Sequence, residues 1–160
     1  MRTINLVVIH QTDTVDATVE AIDRYHREVM HWKGIGYHQV IYRDGSVHRG
    51  RLDSVIGSHA RGYNAHSIGI CLVGKGPAFV GADTCPPSGW MPFGGYMFPP
   101  QWTALLAFCD IYRSAYGVSS ARFVGHRELP HVAKTCPGFE VGILRAALAG
   151  HPVPADIRLL

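Results

Sequence analysis

The sequence predicts a single α/β domain, one central mixed β-sheet flanked by helices. Three observations predict it. The run Ile4-Asn5-Leu6-Val7-Val8-Ile9 is apolar and β-branched, as strands are. The run Ser67 to Gly74 (SIGICLVG) is almost continuously apolar, which suits a central strand buried on both faces. Around them lie segments with helical spacing of apolar residues, so strands and helices alternate along the chain.

The elements follow in order. After the first strand, Thr12-Asp13-Thr14 offers N-cap chemistry. From about Val15 to Trp32, apolar residues at Val15, Val19, Ile22, Tyr25, Val29 and Met30 have helical spacing. Glu20, Asp23, Arg24 and Arg27 take the other side. Gly34 and Gly36 end that helix. Tyr37 to Tyr42 is strand-like, Arg43-Asp44-Gly45 is a hairpin turn, and Ser46 to Arg51 is the return strand. Pro99-Pro100 opens a second helix at the turn where proline is tolerated. Trp102, Leu105, Leu106, Cys109, Tyr112 and Tyr116 form its apolar side, and Gly117 ends it. Arg122 to Gly125 is the last strand, and Glu140 to Leu148 a short final helix. The expected order is β-α-β-β-β-α-β-α. Residues 1–150 form the domain and 151–160 a tail, with no internal repeat.

A chain of 160 residues with 47% hydrophobic content can bury a real core as one domain. Lys+Arg 15 against Asp+Glu 12 gives a net charge of +3. That mild excess suits an anionic polymer, and the lack of a basic block excludes a nucleic-acid signature. No stretch approaches the roughly 20 apolar residues of a membrane span. The apolar run before His10 is too short for a signal-peptide core, so synthesis in the cytoplasm without a signal peptide is expected. Cysteines at 71, 85, 109 and 136 do not make a disulfide framework at this length. Cys71 and Cys109 read as core, and Cys85 falls in a Gly/Pro-rich loop.

The chemistry concentrates in Phe123 to Phe139, FVGHRELPHVAKTCPGF. His126 leaves a strand, Cys136 follows at a loop's distance, and Lys134 stands two residues before the cysteine. His10 closes the first strand. Neighbouring strands would bring His10 and His126 together, and the loop could carry Cys136 to a third position. Imidazole and thiolate are ligands that zinc prefers, and three protein ligands plus a water make a catalytic site. The bland alternatives are a hydrogen-bonded histidine at each strand end and a cysteine acting as a small buried hydrophobe. His131 is a possible competing ligand.

Four stretches in order, VVIHQTDT, GYHQVIYRDGSVHRGR, GSHARGYNAHSIGICLVG and GHRELPHVAKTCPGF, resemble the zinc-dependent N-acetylmuramoyl-L-alanine amidases. That family includes small phage endolysins and animal peptidoglycan-recognition proteins, and the likeness is to the endolysin branch. The resemblance implies one Zn²⁺ per chain on His10, His126 and Cys136, and catalytic roles for Tyr37 and Lys134. It implies cleavage of the amide between N-acetylmuramic acid and L-alanine of the stem peptide. His59, Arg61 and Asn64 are the implied substrate contacts, with orientation of neighbouring groups or loop capping as the alternative for His38, His59 and His66. Peptidoglycan is the expected partner, with no nucleic acid and no membrane. The protein would work as a monomer on the wall after release from the cell.

Three rival readings stay open. A binding module would keep the groove and lose the cysteine ligand. A regulator of a phage RNA polymerase would need a partner surface that no motif marks. A structural zinc site would need a fourth ligand, from His131 or Cys85. The stretch Gly76 to Pro99 is rich in glycine and proline yet carries Trp90, Phe93 and Tyr96, so it is expected to be a flap or a wall of the groove.

Overall fold

The computed structural model describes residues 2–74 and 99–152. Among these, five strands form one sheet: β1 (Leu6–Gln11), β2 (Gln39–Ile41), β3 (Val47–Arg49), β4 (Ser67–Leu72) and β5 (Phe123–Gly125). The helices are α1 (Val19–Glu28), α2 (Pro99–Tyr116) and α3 (Val141–Leu148). Their order along the chain is the expected one. The loop residues Cys85, Trp90, Phe93 and Tyr96 and most of the 151–160 tail lie outside the described residues.

The sheet order is β3-β2-β4-β1-β5. β1 pairs in parallel with β4 and β5, and β2 in parallel with β4. β3 is antiparallel to β2 across the Asp44-Gly45 turn, which makes the sheet mixed. Asp44 Oδ1 accepts from the Ser46 backbone N–H at 2.9 Å, and Gly45 supplies the positive φ of 86° that the turn needs.

All six residues of β1 and of β4 are buried, as the apolar runs predict. The two faces differ, however. Val7, Ile9, Ile68, Ile70 and Leu72 point to one face, where Trp102, Leu105, Cys109 and Tyr112 of α2 pack with Val141, Leu144 and Leu148 of α3. Burial of one such aliphatic side chain stabilises by roughly 1.5–3 kcal/mol, so this larger cluster anchors the sheet. Gln101 adds two hydrogen bonds, from Nε2 to the carbonyls of Ile41 and Val73, both 3.0 Å. On the opposite face β4 presents only Ser67, Gly69 and Cys71. These small residues leave room for loop 57–64 to lie on the sheet, where its Ala60 packs with Leu6 and Val8.

The first helix departs from expectation. It runs over Val19–Glu28, shorter than 15–32, and its N-cap is Thr18, whose hydroxyl accepts from Ala21 N–H at 3.2 Å. Thr12 is used elsewhere: its hydroxyl bonds the backbone of Gly74. The buried face is Ile22 and His26, while Tyr25 is 54% and Val29 57% exposed. The cause is the segment that follows. Asp23 Oδ1 accepts from Ile35 N–H at 2.7 Å and His26 Nδ1 from Gly36 N–H at 3.1 Å. Those bonds turn the Asp23–His26 side inward. Among the described residues no helix is long and apolar enough to cross a membrane.

Candidate metal centre

Parallel strands end at the same edge of a sheet, and that fact builds the site. Ile9 of β1 is in register with Gly125 of β5. The next residues are His10 and His126, so their rings meet, with centroids 4.5 Å apart. Cys136 is brought back by the loop. Its carbonyl accepts from Arg127 N–H at 2.9 Å, and its Sγ accepts from Gln11 N–H at 3.3 Å. Gly125 permits this return, because a Cβ there would stand 2.8 Å from Pro137 Cδ. The loop base is further held by Glu128, which bonds Gly125 N–H and pairs with Arg145 at 2.8 Å.

His10, His126 and Cys136 each offer one ligand atom, and these atoms lie within 4.8 Å of one another. Cys136 Sγ is 3.8 Å from His10 Nδ1. Two ligands at the usual zinc–sulfur and zinc–nitrogen bond lengths on a tetrahedron stand about 3.6 Å apart, so the spacing fits zinc. The donor set fits as well. Burial, with His59, His126 and Lys134 nearby, holds His10 well below the ordinary histidine range. Burial, then Lys134, lowers His126. Both rings are therefore neutral at physiological pH, the form that ligates. Burial pushes the Cys136 thiol up to about 11. A coordinating thiol gives up that proton, and metal uptake then satisfies a group the protein alone keeps neutral. His131 is exposed, at a φ of 63°, and takes no part in the cluster.

The three residues line a cavity of about 900 Å³, within the size range of small-molecule sites. Tyr37, Lys134 and His59 also line it. The Tyr37 ring lies 5.2 Å from that of His10. Burial, with the thiols of Cys71 and Cys136 close by, raises the Tyr37 phenol well above 10. Arg61 is exposed and does not line this cavity. Asn64 spends its Oδ1 on the backbone N–H groups of His59 and Ala60, both 2.9 Å. His59 is buried, with its Nδ1 3.0 Å from His10 Nε2. The structure thus gives Asn64 and His59 framework contacts. Sequence reasoning passed over Asp13 and Trp32, which also line the cavity. The Trp32 ring packs on that of His26, centroids 4.6 Å apart, and its only sequence signal is an aromatic just before Gly34 and Gly36.

Residues 1–139 match the N-acetylmuramoyl-L-alanine amidase family. The chain belongs to this family. An endolysin of Klebsiella phage KP32 is 33% identical over 128 residues, 80% of this chain and 74% of that protein. Among solved structures, the amidase LysC from Clostridium intestinale URNW superposes with a TM-score of 0.72 at 27% identity, covering 94% of this chain and 88% of that one. The Ph2119 endolysin from a Thermus scotoductus bacteriophage gives 0.69 at 28% identity, covering 95% and 88%. In this amidase the ligand cluster, the open cavity and the neutral imidazoles occupy the C-terminal edge of the parallel strands, where α/β folds place their sites.

Proposed function

We propose that this amidase is a phage or prophage endolysin. It hydrolyses the amide between N-acetylmuramic acid and the L-alanine of the stem peptide. The observation that carries the reading is the ligand triad of His10, His126 and Cys136, within 4.8 Å at the floor of an open cavity. A purely binding role leaves that intact set of ligands without a purpose. The endolysin name of a relative that covers most of this chain supports the biological setting. So does the mild positive charge, which suits an anionic wall.

A zinc ion held by these three residues supplies an acidified water and a Lewis acid for the scissile carbonyl. The chain's own residues do the rest. His10 and His126, neutral, keep their lone pairs for ligation. Tyr37 is a protonated phenol at neutral pH and donates a hydrogen bond toward the reacting carbonyl oxygen or the leaving amine. Lys134, exposed on the cavity rim, places a positive charge where the oxyanion develops. Donors of this kind are typically worth about 3 kcal/mol each. Arg61 and Asn64, through its amide NH₂, reach peptide groups that extend beyond the cavity. The enzyme acts as a monomer, made in the cytoplasm and released to the wall.

The test is digestion of purified peptidoglycan with mass analysis. The expected products are free stem peptides with new L-alanine amino groups and uncut glycan strands. New reducing sugar ends without those amines would identify a glycosidase and overturn the proposal.

A further inference from the structure

His59 is only 7% exposed, and both its ring nitrogens are engaged. Nδ1 lies 3.0 Å from His10 Nε2, and Nε2 lies 3.3 Å from Ser67 Oγ. The hydrogen positions follow from the far end of this chain of contacts. Ser67 Oγ is 2.8 Å from the carbonyl oxygen of Tyr63, which can only accept. The hydroxyl proton therefore points at Tyr63. Ser67 Oγ is then free to accept, and the His59 nitrogen facing it must carry the hydrogen. A neutral His59 with its hydrogen on Nε2 has a lone pair on Nδ1. That lone pair accepts the Nε2–H of His10. His10 is left with its lone pair on Nδ1, the nitrogen that faces Cys136 Sγ at 3.8 Å.

The backbone is shaped to hold the His59 ring there. A Cβ on Gly69 would stand 2.6 Å from His59 Cγ, and one on Gly57 2.5 Å from His59 Cδ2. Any side chain at either position would displace the ring. Asn64 fixes the backbone of His59 and Ala60 from the side. The small residues Ser67 and Gly69 on β4 are thus the seat of His59.

We propose that His59 and Ser67 are positioning residues that hold His10 in the one tautomer able to ligate a metal through Nδ1. This rests on the metal-centre reading above. Metal-bound histidines are commonly fixed through their second nitrogen, and loss of such a partner weakens metal affinity. Here the orienting group is itself a histidine, whose tautomer is set by a serine hydroxyl committed to a carbonyl.

The experiment measures zinc affinity by chelator competition for the full chain and for His59→Leu, His59→Asn and Ser67→Ala. Asparagine can place Oδ1 where Nδ1 stood and keep an acceptor; leucine cannot. His59→Leu is expected to weaken zinc binding roughly 10–100-fold, His59→Asn to recover most of that loss, and Ser67→Ala to fall between them. Long-range proton–nitrogen NMR of the unsubstituted chain reads the tautomer directly, with and without zinc, even if a variant fails to fold. His59 should carry its hydrogen on Nε2 in both states. Finding it on Nδ1 in a protein that binds zinc would overturn this inference and leave the metal centre standing. Equal losses for the leucine and asparagine variants would do the same. An unsubstituted chain that binds no zinc would overturn both.

Discussion

Tyr37 and Lys134 supply no ligand atom to the triad, yet both line its cavity. Burial keeps the Tyr37 proton on, so the phenol works as a donor and removing it should leave the metal in place. Tyr37→Phe and Lys134→Ala are each expected to keep about one zinc per chain and to lose roughly 100–1,000-fold in turnover, the usual effect of deleting one such donor. Zinc content measured beside kcat checks this. Zinc lost with either substitution would show that the ligand set is misassigned. The triad was legible in the sequence because strand ends are legible: an apolar run stopping at a histidine says where the ring emerges. An orienting role for His59 could be named from the sequence but not chosen over substrate contact. GSHARGYN shows a histidine in a loop, but whether its ring faces solvent or lies on the sheet depends on Ser67 and Gly69 in another element. The signal was present as the alternation of small and large residues in SIGICL, which reads as apolar until the faces are separated.

Helix α1 formed within the expected segment but shorter, and only Val19 and Ile22 of its expected apolar side pack inward. Apolar spacing also picked Val15, Tyr25, Val29 and Met30 as buried, and they are exposed. The polar residues Asp23 and His26 decide the orientation, because each satisfies a backbone N–H of the segment leading to Tyr37. A buried N–H without a partner costs more than an exposed valine does. Asp23→Ala is accordingly expected to cost about 1–2 kcal/mol, measured by urea unfolding, and a change near zero would show that the contact is incidental. The pH dependence has a definite sign. The Arg27 guanidinium holds the Asp23 carboxyl below its ordinary 3.8; burial pushes the other way, and the Ile35 N–H adds to the lowering. A depressed carboxyl stabilises the fold at pH values above the unfolded pKa, and the contribution disappears as pH falls through the folded one. The stability gap between the parent and Asp23→Ala should therefore be constant from neutral pH down to about pH 5 and close below pH 4.

At the scale of the whole molecule, the ligands come from opposite ends of the chain: His10 and Cys136 are 126 positions apart. A metal there ties the interior strand β1 to the loop after β5, so it should act on folding as well as on catalysis. The sheet order explains why the fold could be anticipated. β1 is flanked by two parallel partners, and both apolar runs that announced the fold lie at its centre. A ligand that binds only the native state stabilises by an amount set by its concentration over its Kd, about 2.7 kcal/mol at one hundred times Kd. For a domain of this size that corresponds to a rise in Tm of about 5–10 °C. Chelation should lower the midpoint by that amount, and added zinc should restore it. Cys136→Ser replaces a thiolate by a neutral hydroxyl, so its midpoint should not move with zinc or chelator and its activity should be lost. Its metal-free midpoint should match that of the metal-free parent, since the serine hydroxyl is close to the thiol in size and can still accept from Gln11 N–H. A zinc-dependent rise that persists in Cys136→Ser would place the stabilising metal at a different set of ligands.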